Sequence, residues 1–567
     1  MTNRGKFVLT LVILAVAGFG AWKWWGRLAS QPGAPPSASS TPAASTTPGG
    51  GAAPARPAAA DVSAANAALV ETQEEVPRLA APGIYLPKND TVDVELSEYA
   101  GYSGLIVANG GLEPNENSVF FKKHGFKVKI TLSEEESWSA LNSGKIGVSA
   151  TTVDVLAIYG KQMNVVVPAQ IGYSRGADGV VVRNEIKRIN ALKGKILATA
   201  QFTEADFFIR YLAQEAGLQI HMLPDLKTAP DPDKLNLVFC ADAFAAGDLF
   251  LSELQSGRTT LAGCVTWAPK TTEVAEGSGG KAHILATSLN LLIVADIIVA
   301  NKGFAQQNPK IMAGLVEGLL EGNRMVRDNP NAHLDTIGKA FKWQREETKA
   351  ELAKVHFSNL PENLAFFSGA IDAAGSYGGI YQSAVFAYGN ELVKDPVDGD
   401  RFLDLSHLKA LEASGAFKEQ KIAIAPIRSS STAAVEGDPL LSKDIRFLFE
   451  PNSAKLDLNK PENLKNLEAI KRLLQVSPGS TILLRGHVDN SMVEEFRKRG
   501  GDQYVRQMAL RAVDFSKQRA AEIKRLLGER HNVDDGRLDV VGRGWEEPLG
   551  TDHDQNRRVE AQWFTLE

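Results

Sequence analysis

GKIGVSATTVDVLAIYG, residues 144–160, has the pattern of a β-strand that runs directly into an α-helix. The strand is predicted to end at Ser149, and Ala150, Thr151 and Thr152 are predicted to open the helix. Unpaired backbone N–H groups and hydroxyls converge at such a helix start, whose positive end favours a carboxylate, sulfonate or phosphate. An ordinary Ser/Thr helix cap is the alternative. The stretch therefore predicts an α/β fold with either an anion site or a capped helix at this turn.

Strand-like runs alternate with amphipathic helical patterns on both sides of this stretch. One set comprises TVDVELSEY, FKVKITL and MNVVVPAQIGY, and a second comprises GADGVVVRN, KILATA, LVFC and GCVTW. Repeated βα units are typical of a mostly parallel, doubly wound sheet. The pattern over residues 88–420 predicts two α/β lobes joined by crossing strands, completed by a helical stretch from Pro309 to about Gly415.

Length and charge limit the class of protein. A chain of 567 residues exceeds the ~250–300 residues at which a single core stops growing, so several folded units are expected. The net charge of -5 provides no cationic field to attract nucleic acid, so no nucleic-acid partner is expected. No H-E-x-x-H or P-loop motif occurs, which argues against an enzyme, and no cofactor or metal site is predicted.

The chain contains two cysteines, Cys240 and Cys264, each at a strand-like run. In an oxidising compartment they could form one disulfide. The alternative is that both are small buried hydrophobic residues on neighbouring strands. The sequence leaves both open.

The N-terminal region predicts a membrane anchor followed by a tether. Residues 1–28 combine a basic start, an apolar run from Phe7 to Trp22 and a tryptophan-rich collar, which favours an uncleaved transmembrane helix over a cleaved signal peptide. Residues 29–87 are predicted to be a disordered tether, because residues 30–61 carry almost no charge and no large apolar side chain.

Several motifs of the central region occur in a familiar order: EYAGYSG (98–104), IGYSRGADGVVVR (171–183), LKGKILATAQFTEADFFIRYLAQEAGL (192–218) and LAGCVTWAPKTTEV (261–274). This order resembles the nitrate/sulfonate/taurine-type periplasmic solute-binding proteins of ABC transporters. The resemblance implies a type II periplasmic-binding-protein-like clamshell that binds a small anionic solute between its lobes. Delivery of the solute to an ABC permease is one use of such a module.

The resemblance also implies which residues would line the clamshell. They are the first turn (Gly101, Tyr102, Ser103), the helix start (Thr151, Thr152), the crossing segment (Ser174), the second-lobe helix start (Thr203, Glu204) and one wall (Trp267). Glu204 departs from this expectation, because it puts negative charge where an anion would sit. The alternative is a scaffold or sensor whose two-lobed domain contacts a protein partner.

Beyond a linker at residues 421–442, residues 443–567 have the pattern of a compact βαβαββ domain. In TILLRGHVDNS, residues 481–491, a carboxylate, Asp489, stands at the end of a strand, and Arg519 lies on the following helix. A carboxylate and a guanidinium in these positions can hold a zwitterion, the first binding an ammonium group and the second clamping a carboxylate. The alternative is a structural Asp–Arg salt bridge.

Four ordered motifs in this domain, GHVD, FSKQRA, GRGWEEP and NRRVE, resemble the OmpA-like peptidoglycan-binding domain. The resemblance implies that Asp489 and Arg519 hold the amino and carboxylate groups of meso-diaminopimelate in the peptide stem, with Arg557 or Arg558 framing the pocket. Val488 replaces the family's usual threonine. An inserted segment, residues 492–513, either caps the pocket or forms a solvated helix extension.

Together these features predict a non-enzymatic protein of the bacterial cell envelope. It would be anchored in the inner membrane by its N-terminal helix, with its bulk in the periplasm. Its expected partners are peptidoglycan, a small anionic solute and an ABC permease.

Overall fold

In this computed structural model, the structure describes residues 67–133, 137–289, 291–370, 375–424, 440–450, 453–477 and 479–564. The predicted transmembrane segment 1–28, the tether up to residue 66 and most of the linker 421–442 lie outside these residues. Within the described ranges, no helix combines the length and apolar character needed to span a membrane.

The strands of the central region have these bounds, in chain order: β1 (Thr91–Leu96), β2 (Lys127–Leu132), β3 (Val148–Thr152), β4 (Val165–Ser174), β5 (Gly179–Arg183), β6 (Ile196–Ala200), β7 (Ile220–Met222), β8 (Leu235–Cys240), β9 (Gly263–Thr266), β10 (Ala282–Thr287), β11 (Ala295–Asn301) and β12 (Val355–Phe357). They form two six-stranded sheets, ordered β12-β4-β11-β3-β1-β2 and β10-β5-β9-β6-β8-β7. Each sheet is the core of one lobe.

Both sheets are mixed, so the prediction of a mostly parallel sheet is wrong. In the first lobe β1 runs parallel to β2 and β3, but β11 runs antiparallel to β3 and β4, and β12 runs antiparallel to β4. In the second lobe β6, β7, β8 and β9 run parallel, whereas β5 runs antiparallel to β9 and β10. The antiparallel pairs involve the strands next to the two crossings between lobes. The chain crosses after β4 and again after β10, and each time it enters the other sheet in the opposite direction.

β3 is longer than the sequence predicts. Ala150, Thr151 and Thr152 do not open the helix but continue the strand, because they pair with Ile298, Ile297 and Asp296 of β11. The helix starts at Val153, one residue after Thr152, whose side chain makes no capping hydrogen bond. Buried pairing partners on β11 therefore override the local cap pattern.

The helices of the central region have these bounds, in chain order: α1 (Ser103–Asn109), α2 (Val119–His124), α3 (Trp138–Asn142), α4 (Val153–Tyr159), α5 (Glu204–Glu215), α6 (Ala243–Gln255), α7 (Lys270–Gly277), α8 (Lys302–Gln307), α9 (Pro309–Asp328), α10 (Leu334–Phe341), α11 (Arg345–Leu352), α12 (Leu360–Ser368), α13 (Tyr377–Leu392) and α14 (Ser406–Ala413). α9 packs on α1 of the first lobe, and α13 packs on both α4 and α5, which belong to different lobes.

Cys240 and Cys264 are unbridged and buried. They lie on β8 and β9, which flank β6. Burial raises the pKa of the Cys240 thiol to about 12. These features fit the alternative of two small buried hydrophobic residues.

Residues 67–87, assigned from the sequence to the tether, are hydrogen-bonded along both lobes. The amide of Val70 donates to the carbonyl of Phe239 in the second lobe at 2.9 Å, and that of Gly83 donates to the carbonyl of Asn142 in the first lobe at 2.9 Å. Unlike residues 30–61, this segment contains large apolar side chains, and Val76 and Leu79 pack against the core. These contacts order residues 67–87, so the predicted tether does not extend over them.

The C-terminal domain has the predicted βαβαββ order, with one additional short helix. Its elements are β13 (Leu441–Ile445), α15 (Pro461–Val476), β14 (Thr481–Gly486), α16 (Val493–His531), β15 (Leu538–Gly542), α17 (His553–Asn556) and β16 (Val559–Phe564). The sheet order is β13-β16-β14-β15, with β14 parallel to β15 and β16 antiparallel to β13 and β14. Trp563 is fully buried in this domain.

The C-terminal domain packs against the second lobe and the crossing segment. The amide of Ile189 donates to the carbonyl of Leu440 at 2.8 Å, and the amide of Leu292 donates to the carbonyl of Val476 at 2.7 Å. Glu215, only 1% exposed, pairs with Arg472 at 3.1 Å and with Lys443 at 3.5 Å. This contact is defined here as the Glu215 interface.

Candidate functional site

A cleft lies between the two lobes, with about 600 Å³ of empty space that is partly open to solvent. Its floor and walls come from the end of β1, the end of β3, the crossing strands and the starts of second-lobe helices. The lining residues are Glu95, Leu96, Ser97, Tyr99, Tyr102, Ser133, Trp138, Ser149, Ala150, Thr151, Thr152, Asp178, Glu204, Trp267, Val294 and Asp296.

The structure brings five of the sequence-predicted residues together in this cleft: Tyr102, Thr151, Thr152, Glu204 and Trp267. The Tyr102 hydroxyl donates to Oδ1 of Asp296 at 3.2 Å. The hydroxyls of Thr151 and Thr152 and Nε1 of Trp267 are buried, and these atoms have no hydrogen-bond partner among the described residues. The cleft therefore contains polar atoms that a bound molecule could satisfy.

Four other predicted residues lie near the cleft but do not line it: Gly101, Ser103, Ser174 and Thr203. A side chain at Gly101 would overlap the ring of Tyr99, so this glycine lets Tyr99 reach the lining. The Ser174 hydroxyl is hydrogen-bonded to that of Ser288 at 2.6 Å, and the Thr203 hydroxyl donates to the carbonyl of Ala200 at 2.9 Å. These two hydroxyls are used within the protein.

Every charged side chain that lines the cleft is a carboxylate. Glu95, Asp178, Glu204 and Asp296 all reach it, and within the described part of the chain no lysine, arginine or histidine does. Burial raises the pKa of Asp178 to about 6 and raises that of Asp296 well above its ordinary value. The predicted anionic solute therefore finds no positive side chain in this lining, and burying an anion beside these carboxylates costs free energy.

Three of these acidic residues, Glu95, Asp178 and Asp296, escaped the sequence analysis. Asp296 occurs in the otherwise apolar run ADIIVAN, and Asp178 stands just before GVVVR. A charged residue inside a buried strand is costly unless it has a partner or a role, and this signal could have identified both.

A second pocket lies in the C-terminal domain, with about 1980 Å³ of space that is open to solvent. Asp489, Arg519 and Arg557 all line it, together with Val488. Arg557 Nε lies 3.7 Å from Oδ2 of Asp489. The carboxylate and guanidinium groups predicted from the sequence thus face one cavity.

Asp489 lies in the loop that follows β14 and is held in its ionised form. The Ser491 amide donates to its Oδ1 at 3.0 Å, and the Ser491 hydroxyl donates to the same oxygen. Burial alone would raise the pKa of Asp489, but these donors and the charge of Arg557 lower it below its ordinary value. A carboxylate that remains charged suits the binding of an ammonium group.

Arg519 is fixed between two aromatic rings. Its guanidinium carbon lies 4.7 Å from the ring centroid of Phe449 and 4.5 Å from that of Phe515. Its Nε donates to the carbonyl of Ser453 at 3.4 Å. Burial and the neighbouring charge of Arg557 lower the pKa of Arg519, which stays positive at neutral pH because arginine starts from such a high value.

Arg558 lies apart from this pocket. Its side chain is buried, and its guanidinium donates to the carbonyl of Glu547 at 3.4 Å. Arg557 and Arg558 lie in the short connection between α17 and β16, and their side chains have different surroundings. Of the two predicted alternatives, Arg557 is the one that lines the pocket.

The inserted segment forms part of the pocket wall. Met492, Phe496 and Met508 line the cavity, and Phe496 lies 6.2 Å from Trp545 between ring centroids. α16 is interrupted at Gly500 and Gly501, whose backbone angles are not helical. The interruption divides the insertion into two helical pieces, and the geometry favours the capping alternative over a purely solvated extension.

Comparison with known proteins gives one family match. Residues 448–562 match the model of the OmpA family, so the chain carries an OmpA domain at its C-terminal end, as the four ordered motifs predict. A search of the curated proteins finds no match.

Solved structures similar to this chain include three bacterial binding proteins. The periplasmic aliphatic sulphonate binding protein of Escherichia coli is 16% identical with a TM-score of 0.41, covering 55% of this chain and 92% of that chain. The alkanesulfonate-binding protein of Xanthomonas axonopodis pv. citri, bound to MOPS, is 12% identical with a TM-score of 0.42, covering 56% and 99%. The periplasmic nitrate-binding protein of Synechocystis PCC 6803 is 14% identical with a TM-score of 0.42, covering 60% and 91%. We assign the two lobes of this chain from its own two six-stranded sheets.

Proposed function

We propose that this chain is a cell-envelope protein that attaches to peptidoglycan through its C-terminal domain and binds a small solute in its central cleft. The observation that carries the first part is that Asp489, Arg519 and Arg557 line one open pocket of an OmpA domain. Both activities are non-covalent binding.

The pocket chemistry matches a zwitterionic amino acid in a peptide stem. The ionised Asp489 accepts hydrogen bonds from the ammonium group of meso-diaminopimelate, and Arg519 clamps its carboxylate through two parallel donors. The two aromatic rings that flank Arg519 restrict its side chain, so little conformational entropy is lost on binding. Arg557 keeps the pocket positive beside the stem carboxylate while it neutralises part of the charge of Asp489.

The cleft serves as the second binding site. Its place between two lobes, joined by crossing strands, fits a clamshell that closes on a solute. An N-terminal transmembrane helix would hold the chain at the inner membrane, and an ABC permease would receive the solute in the periplasm. The wall-binding domain would keep the cleft at a fixed position in the envelope.

Sedimentation with purified sacculi tests the wall attachment. The full chain is expected to pellet with sacculi, whereas Asp489→Asn and Arg519→Ala are expected to stay largely in the supernatant. Arg525→Ala is the matched control, because Arg525 lies on the same helix as Arg519 but is half exposed and pairs with Glu522 and Glu529 of that helix. If both pocket variants pellet as well as the parent chain, the assignment of the pocket is wrong.

A further inference from the structure

The charge of the cleft indicates what kind of solute it takes. Four carboxyl groups line it, from Glu95, Asp178, Glu204 and Asp296, and no basic side chain of the described residues joins them. The nearby buried Arg210 is already paired with Asp206 at 2.6 Å. Closing the lobes on this lining would bury several negative charges together, which is unfavourable unless something positive is enclosed with them.

Residues that line the cleft carry buried polar atoms without a hydrogen-bond partner in the described part of the chain. Oδ2 of Asp296 has no hydrogen-bond partner among the described residues, although Asp296 is only 2% exposed. The hydroxyl oxygens of Thr151 and Thr152 are likewise buried without partners. An ionised Oδ2 of Asp296 can only accept hydrogen bonds, so it favours a ligand that carries N–H donors, whereas the two threonine hydroxyls and the buried Nε1 of Trp267 can also donate to the ligand.

Aromatic rings complete the lining. Tyr99 and Tyr102 are packed edge to face with their centroids 5.2 Å apart, and Trp138 and Trp267 reach the cleft from other elements. Aromatic faces beside carboxylates are the surroundings that organic ammonium groups prefer. The described residues contain no group of three or more side chains spaced to hold a metal ion, so the lining favours an organic cation over a metal.

We propose that the solute of this cleft is a small organic cation, an amine or quaternary ammonium compound, held by Asp296 and Asp178 and enclosed by the tyrosine and tryptophan rings. This inference rests on the proposed function, since it names the solute class of the same cleft. It replaces the anionic solute that the sequence predicts.

Protonation of the cleft carboxyl groups determines how the affinity for a cation should change with pH. Burial raises the pKa of Asp178 to about 6 and raises that of Asp296 well above its ordinary value, so both carboxyl groups of the empty cleft take up protons more readily than exposed ones as pH falls. A bound cation favours the ionised carboxylates and expels these protons, so its affinity rises as pH rises. An anion held by protonated carboxyl groups would show the opposite trend. The titratable groups that act on this pair are Asp154, Tyr99 and Tyr102, and Glu204 acts on both tyrosines.

Isothermal titration of the full chain tests the proposal with choline, putrescine and spermidine as cations and with nitrate and methanesulfonate as anions. At least one cation is expected to bind, with affinity at least about tenfold higher at about pH 7.5 than at about pH 5, because each proton released contributes about tenfold per pH unit. Asp296→Asn is expected to weaken binding at least about tenfold. Asp248→Asn is the control, since the exposed Asp248 pairs with Lys270 outside the cleft.

The outcomes separate this inference from the proposed function. Binding of an anion alone, or binding of a cation that weakens as pH rises, overturns the organic-cation proposal but leaves a solute-binding cleft. If none of the cations or anions binds at either pH, both the organic-cation proposal and the proposed solute-binding function of the cleft are wrong. The pH series on the parent chain decides the question even where Asp296→Asn does not fold.

Discussion

Glu560 sits behind the C-terminal pocket and connects its strand to the neighbouring ones. Its carboxylate pairs with Arg485 at 3.1 Å and lies 3.7 Å from the buried His487, and Gln562 donates to it at 2.8 Å. His487, next but one to Asp489 in the sequence, is thus turned toward Glu560 and away from the pocket. His487 therefore belongs to the cluster around Glu560.

This cluster makes the C-terminal domain sensitive to acid. Burial alone would raise the pKa of Glu560, but its hydrogen bonds and the charge of Arg485 lower it from 4.5 to about 2. Because the folded-state pKa lies below the unfolded one, the carboxylate stabilises the fold above about pH 4.5, and this contribution is lost as pH falls toward 2. Glu560→Gln should therefore cost roughly 1 to 3 kcal/mol at neutral pH and much less near pH 2.

Urea unfolding followed by tryptophan fluorescence at pH 7 and at about pH 2.5 measures this difference. Glu546→Gln is the control, because Glu546 is exposed. A destabilisation by Glu560→Gln that is the same at both pH values would contradict the assigned role of the Glu560 carboxylate.

At the scale of elements, glycines allow α9 to lie directly on α1. A side chain at Gly322 would overlap the carbonyl oxygen of Gly104, and one at Gly318 would overlap the ring of Phe120. α9 is also hydrogen-bonded to the first lobe, since Asn323 on this helix donates to the carbonyls of Ile171 and Ser358 at 2.8 and 3.0 Å. Close contact between these helices thus positions the strand that carries the crossing segment.

Gly322→Ala tests this contact. The added methyl group would force the two helices apart, and overpacking of this kind typically costs about 1 to 3 kcal/mol. Gly378→Ala is the matched control, because Gly378 is also helical and its Cβ would meet no atom within 4 Å. Thermal unfolding should show a lower Tm for Gly322→Ala and an unchanged or higher Tm for Gly378→Ala. Equal behaviour of the two variants would refute the close packing.

The elements themselves were largely predictable, and their pairing was not. Strand and helix patterns at β1, β2, β4 and in the C-terminal domain follow the alternation of apolar residues. The end of β3 was misjudged because Thr151 and Thr152 favour a cap locally, while pairing with β11, more than a hundred residues away, keeps them in the strand. The same long-range pairing carries Asp296 into the cleft, so the acidic lining could not be assembled from local sequence.

At the scale of the whole molecule, the Glu215 interface joins the C-terminal domain to one lobe. The second lobe contributes Glu215 and Ile189, and Leu292 belongs to the segment by which the chain crosses back to the first lobe. Because the domain contacts the second lobe and this crossing segment, closure of the cleft would move the first lobe relative to a wall-bound second lobe.

Glu215→Gln should loosen this interface. Glu215 is buried, while Arg472 and Lys443 are partly exposed. We therefore expect the substitution to lower the stabilising free energy of the interface by roughly 1 to 3 kcal/mol, between the values typical of surface and of buried ion pairs. Hydrogen exchange at the amides of Ile189 and Leu292, which donate across the interface, should become faster. Glu276→Gln, an exposed substitution in the same lobe, is the control. Unchanged exchange at both amides would show that the ion pairs do not hold the domains together.

The central claim is that one chain grips the peptidoglycan stem through Asp489 and Arg519. The most direct measurement is calorimetric titration of the full chain with a stem peptide that contains meso-diaminopimelate, compared with the same peptide that contains L-lysine in its place. Lysine keeps the ammonium group but lacks the second carboxylate, so it leaves Arg519 without its partner. We expect saturable binding of the diaminopimelate peptide, at least about tenfold weaker binding of the lysine peptide, and no such discrimination by Arg519→Ala. Equal affinity of the parent chain for the two peptides, or no binding of either, would contradict the account.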